Sequence, residues 1–122
     1  MAIHRTKRIG LGTWAWGNEI FWGYKQNVDM ELRETLQEAI KRGFTIIDTA
    51  DSYGTGKLSG RSEQLLGDFL SEIPKSQKRS IQIATKLAPY PWRMGKKAFS
   101  KPFLQSLERL QNKLDIVQLH WS

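Results

Sequence analysis

Short apolar runs alternate along the chain with stretches whose apolar residues recur at helical spacing, the pattern of βα units built on a parallel sheet. Arg8 to Thr13 is expected to form a first short strand. A long loop rich in aromatics follows (Trp14, Trp16, Phe21, Trp22, Tyr24), with no helical period as far as Asn27. Val28, Leu32, Leu36, Ala39 and Ile40 then share one helical face, with Asp29 as the expected N-cap and Gly43 as a left-handed stop. Phe44 to Asp48 is a β-branched second strand, leading into the glycine-bearing loop Thr49 to Arg61. Ser62 is the expected cap of a second helix carrying Leu65, Leu66, Phe69 and Leu70, closed by Pro74. Ile81 to Lys86 is expected to be strand three, bounded by Pro89 and Pro91. A third helix begins near Ser100, tolerates Pro102 in its first turn, and is expected to bury Phe103, Leu104, Leu107 and Leu110. Asp115 to His120 is strand four. The pattern predicts one folded unit over residues 1–122, with no linker and no repeat beyond the βα alternation itself.

Strands two, three and four each end on an ionisable residue: Asp48, Lys86 and His120. In a closed parallel barrel such ends lie side by side at the C-terminal mouth, where barrel enzymes place their chemistry. Isolated charges there are costly unless they answer one another or a ligand. Taken singly, a turn acid, a snorkelling lysine, a strand-end histidine and a loop tyrosine at position 53 are all ordinary. Together they describe one reaction. A lysine cation beside Tyr53 favours tyrosinate and is expected to lower the phenol from its usual value of about 10, which makes it a better proton donor. Asp48 would keep that lysine charged and in place. His120 could hydrogen-bond a carbonyl oxygen, leaving Tyr53 as general acid for a carbonyl that receives a hydride.

Composition narrows the classes. The 122 residues include no cysteine and only two histidines, which excludes disulfides, thiolate catalysis and cysteine metal sites and makes metal chemistry a poor expectation. No apolar run is long enough to span a membrane and the N-terminus lacks a secretory apolar core, so a cytoplasmic protein is expected. The net charge of +7 is concentrated between Ile73 and Leu107, where Lys75, Lys78, Arg79, Lys86, Arg93, Lys96, Lys97 and Lys101 occur with no acid. Solvated loops and helix faces are the expected explanation; a phosphate or nucleic-acid surface is the alternative. Gly10-Leu-Gly12-Thr-Trp-Ala15 also satisfies a dinucleotide-binding pattern, but that pattern should open a helix at once and Trp14 to Asn27 has no helical period.

Leu11-Gly-Thr-Trp-Ala-Trp-Gly17, Asp48-Thr-Ala-Asp-Ser-Tyr-Gly54, Gly60-Arg-Ser-Glu-Gln-Leu-Leu-Gly67, Ala84-Thr-Lys86 and Gln118-Leu-His-Trp121, in that order, resemble the aldo/keto reductase family. The resemblance implies a catalytic tetrad of Asp48, Tyr53, Lys86 and His120, with NADPH as hydride source and a small aldehyde or ketone as substrate. It implies that Gly12, Thr13, Trp14 and Asp48 lie near the nicotinamide end of the cofactor. It further suggests Trp14, Trp16, Trp22, Tyr90, Trp92 and Trp121 as substrate-pocket residues, with core packing the alternative for any one of them. The implied fold is the N-terminal half of a (β/α)8 TIM barrel, since a complete barrel takes about 250 residues. In the family most residues gripping the cofactor's phosphates come from later strands. The chain alone is therefore expected to bind NADPH weakly and to self-associate through open sheet edges. The competing expectation is an inactive half-barrel that only self-associates.

Overall fold

A computed structural model describes residues 9–121. Strands β1 (Leu11–Gly12), β2 (Ile46–Asp48), β3 (Gln82–Leu87) and β4 (Ile116–Leu119) form one sheet in chain order, each neighbouring pair parallel. Parallel neighbours need crossover connections, and helices supply them. The β1–β2 connection holds the single turn α1 (Glu19–Trp22) and the long helix α2 (Asp29–Lys41). Between β2 and β3 lie α3 (Arg61–Ser71) and the short α4 (Lys75–Lys78), and α5 (Ser100–Arg109) precedes β4. The fold is the first half of a (β/α)8 barrel. Arg8, the expected start of the first strand, lies outside the described residues.

Alternation along the strands separates packing from chemistry, because successive side chains leave opposite faces of a sheet. Leu11 pairs with Ile47 and Ile47 with Ile83. These residues join Leu36, Leu65, Leu66, Phe69, Leu70, Ile81 and Leu110 in the core between sheet and helices. On the other face Gly12 lies beside Asp48, Asp48 beside Ala84, and Lys86 beside Gln118. The inner face of the barrel thus carries the ionisable strand ends. β1 and β4 each have an edge with no strand partner among the described residues, and every residue of β4 is exposed.

Several local expectations need correction. Asp29 is not the cap of α2 but its first helical residue, and the N-cap Val28 makes no side-chain capping bond. The Asp29 carboxylate instead accepts from Tyr24 Oη and from Arg61 Nη2, each at 2.6 Å. It still lies in the first turn, where the helix dipole favours an acid. Ser62 likewise sits inside α3, whose N-cap is Gly60 in a left-handed conformation. The Ser62 hydroxyl lies 2.7 Å from Thr13 Oγ1 and 3.0 Å from Thr49 Oγ1, joining the loops that follow β1 and β2. The aromatic loop contains a helical turn after all, α1, capped by the Asn18 side chain and closed by left-handed Gly23.

Phe103 and Leu104 are exposed rather than buried. α5 turns Pro102 and Ser106 inward, and its C-cap Leu110 follows one turn later. Its rotation is set by close approach to α3 at Gly67, where a Cβ would stand only 2.0 Å from the Arg109 carbonyl oxygen. Only glycine leaves room for that contact.

Candidate active site

The loop after β2 carries Tyr53, and its shape depends on the glycine that follows. Gly54 has φ of 120°, and a Cβ there would fall 1.8 Å from the Leu58 carbonyl oxygen. The loop's backbone is tied to β3 by Asp51 N–H donating to the Lys86 carbonyl at 2.9 Å. Asp48 is fixed from the other side: its carbonyl accepts both the N–H and the hydroxyl of buried Thr13, at 3.0 and 2.9 Å.

Lys86 is the hub. Its Nζ donates to Asp48 Oδ2 at 2.7 Å, to the Thr49 carbonyl at 2.8 Å and to Tyr53 Oη at 3.3 Å. Three acceptors match the three protons of an ammonium group. The Lys86 side chain is 17% exposed and that of Asp48 is 41% exposed, so the pair opens to solvent on the carboxylate side. His120 completes the group, with its ring edge-on to Tyr53 at 5.6 Å between centroids and its Nδ1 3.2 Å from Ser52 Oγ. The structure therefore brings Asp48, Tyr53, Lys86 and His120 together at the C-terminal ends of neighbouring strands.

Partial burial and the Lys86 ammonium hold His120 below its usual value of about 6.5, against the opposing pull of Asp51 and Asp48. Both lowering influences favour the neutral imidazole. Stability owed to the neutral ring is fully present above the unfolded value and is lost as pH falls from about 6.5 through the lower folded value. Lys86→Met removes one of the two lowering influences, so the His120 midpoint should rise. Histidine proton shifts followed against pH by NMR check this; an unmoved midpoint would show that Lys86 exerts no field there.

The residues expected to meet cofactor or substrate are dispersed over distinct environments. Gly12 is exposed, and a Cβ on it would meet nothing within 4 Å. Thr13 is buried, its hydroxyl committed to Asp48 and Ser62. Trp14 is half open and clusters with Phe21 and Trp22, at 6.0 and 5.9 Å between ring centroids. Trp16 goes elsewhere: it is 4% exposed and packs edge-on against Phe69 inside the core. Tyr90 stacks on Trp92 at 4.5 Å, and Trp121 lies 3.9 Å from the His120 ring.

Sequence reasoning missed Ser52, which meets His120, and the pair formed by buried Asp51 and Arg93 at 2.6 Å. Composition groups Arg93 with solvated basic residues, because its partner lies 42 positions upstream. Most of the remaining basic run (Lys75, Arg79, Lys96, Lys97, Lys101) is exposed, as solvated loops and helix faces require. Among the described residues no group of three or more His, Cys, Asp or Glu could hold a metal ion, and no helix is long and apolar enough to cross a membrane.

Comparison with known proteins places the chain among its relatives. The chain is 47% identical over 117 residues to a chloroplastic pyridoxal reductase of Arabidopsis thaliana, covering 93% of this chain and 32% of that protein. It is 34% identical to the aldo-keto reductase YhdN of Bacillus subtilis, covering 93% of this chain and 34% of that protein. The chain thus spans about a third of the length of these relatives. Among solved structures, a Klebsiella pneumoniae aldo-keto reductase in complex with NADPH superposes with a TM-score of 0.71 at 30% identity, over 92% of this chain and 34% of that one. The model of the aldo/keto reductase family matches residues 8–122, and the chain belongs to that family.

Proposed function

We propose that this segment carries the proton-donor side of an NADPH-dependent carbonyl reductase, with Tyr53 as general acid and a small aldehyde or ketone as substrate. The observation that carries it is the Lys86 ammonium bound at once to the Asp48 carboxylate and the Tyr53 phenol, at 2.7 and 3.3 Å. In the reaction the carbonyl π bond breaks, the carbon gains a hydride and the oxygen gains the Tyr53 proton. The phenolate left behind is stabilised by the Lys86 cation and regains a proton from water. Asp48 holds Lys86 aimed through its hydrogen-bonded ion pair. His120 would hydrogen-bond the carbonyl oxygen while Ser52 engages its Nδ1.

Bound NADPH would supply the hydride. Features of the inner face fit its nicotinamide end: exposed Gly12 leaves bare backbone beside Asp48, and Trp14 follows two positions later with an open ring. Thr13 would serve the site indirectly, by fixing the Asp48 backbone. An aldehyde substrate accords with the related pyridoxal reductase.

A second reading, a self-associating half-barrel without catalysis, is favoured by exposed Val117 and Leu119 on the open edge strand. One experiment separates the two. A complete protein containing this segment should oxidise NADPH only when a reactive aldehyde is added and should form the alcohol. No turnover with any of a panel of aldehydes and ketones, together with concentration-dependent oligomers of the segment in size-exclusion chromatography, would favour the second reading.

A further inference from the structure

We propose that Arg93, anchored on the buried carboxylate of Asp51, is a specificity-determining positioning residue that holds the Tyr90–Trp92 ring stack as a wall for flat aromatic carbonyl substrates. The proposal rests on the carbonyl-reductase reading above and adds to it a substrate class and a residue that selects for it.

Asp51 lies two residues before Tyr53, and its side chain is 2% exposed. A carboxylate so deeply buried requires a partner, and losing that partner is far costlier than never having had the charge. Arg93, 15% exposed, supplies it: Nη1 donates to Asp51 Oδ2 at 2.6 Å and to the Ala88 carbonyl at 2.6 Å. The other carboxylate oxygen accepts the Ala88 N–H at 3.1 Å. One ion pair therefore clamps the loop after β3 to the loop that carries Tyr53.

What the clamp presents is aromatic. The Arg93 guanidinium carbon lies 4.9 Å from the centre of the Tyr90 ring, within cation–π range. Tyr90 stacks on Trp92 with an interplanar angle of 11° and meets Trp121 edge-on at 6.5 Å. Trp121 in turn lies against His120 at 3.9 Å. A continuous line of rings thus runs from the buried ion pair to the site where the carbonyl oxygen would bind. Trp92 is 75% exposed in a loop whose flanking Pro91 and Met94 are also open. Backbone bonds from Tyr90 N–H to the Ala88 carbonyl at 2.9 Å and from Arg93 N–H to the Tyr90 carbonyl at 2.8 Å shape the turn, and the Arg93 side chain ties that turn to Asp51 and covers the Tyr90 face. A rigid flat face rewards a ring that can stack on it and offers little to a short aliphatic chain.

The test compares kcat/KM for an aromatic aldehyde, benzaldehyde, with that for an aliphatic aldehyde, butanal, in a complete protein containing this segment. Arg93→Lys keeps the charge for Asp51 and the Ala88 carbonyl but removes the planar group over Tyr90. The double variant Asp51→Asn, Arg93→Met removes both charges, leaves no unpaired buried ion, and keeps an amide oxygen for the Ala88 N–H. Each should lower the aromatic-to-aliphatic ratio by about two- to tenfold, the size of one or two lost ring contacts, mainly through a higher KM for benzaldehyde. Tyr53→Phe should lower both substrates in parallel and preserve the ratio. If Arg93→Lys, folded by circular dichroism, keeps the parent ratio, the wall is overturned whatever the double variant does. Full activity in Tyr53→Phe would overturn the proton-donor reading instead, so the two failures are distinguishable.

Discussion

Tyr53→Phe is expected to lower the steady-state rate of carbonyl reduction by roughly 10² to 10⁴ while leaving NADPH affinity nearly unchanged. The substitution deletes one oxygen from a half-buried ring, so the loop's packing survives; Gly54 and the backbone tie from Asp51 to β3 still set its shape. What disappears is the proton that the developing alkoxide must take up. Water can replace it only at the cost of orientation, which is why the loss is confined to the chemical step. Lys86→Met should also slow the reaction, since the phenol would lose the cation 3.3 Å away that stabilises it as the proton leaves. Steady-state rates with a reactive aldehyde, alongside fluorescence titration of NADPH, check both variants.

Arg109→Met is expected to destabilise the fold by about 3 to 5 kcal/mol, the cost of stranding a buried charge. Glu63 on α3 has a fully buried side chain, and its carboxylate accepts from Arg109 Nε at 2.7 Å and from the Thr85 hydroxyl on β3. These two contacts bolt α3 to α5 and to the strand that carries Lys86. Methionine retains much of the arginine's apolar length and removes the compensating charge. Adding Glu63→Gln to Arg109→Met should recover most of the loss, because no uncompensated ion then remains inside. Urea unfolding of the two variants against the parent decides it. A single variant within about 1 kcal/mol of the parent would mean that the Arg109 pair does not hold the helix layer in place.

Whatever depended on local period was legible in the sequence. The order and type of the four strands, the long helices and the clustering of ionisable strand ends follow from alternation and from parallel neighbours sharing a face, as the Gly12–Asp48 and Asp48–Ala84 pairings illustrate. What was not legible depended on partners distant in the chain. Ser62 has the composition of a cap, yet its hydroxyl serves Thr13, 49 positions away. Asp29 was diverted by Arg61, 32 positions downstream. Leu110 is buried as its spacing requires, but Phe103 and Leu104, which share that spacing, are open, and with the close contact at Gly67 it is Pro102 and Ser106 that face inward. Trp16 and Trp22 belong to the same aromatic loop and look alike in sequence; one packs into the core against Phe69, the other lies open beside Trp14.

Tyr53 as the proton donor is tested most directly by a single turnover, because cofactor or product release can set the steady-state rate and mask a loss in the chemical step. A complete protein containing this segment would be loaded with NADPH, mixed rapidly with excess aldehyde, and followed by the disappearance of the reduced nicotinamide, for the parent and for Tyr53→Phe. The expected result is a burst in the parent that slows by about 10² or more in the Phe variant, with cofactor binding unchanged. Equal burst rates in the two proteins would contradict the assignment and move the proton donor elsewhere in the site.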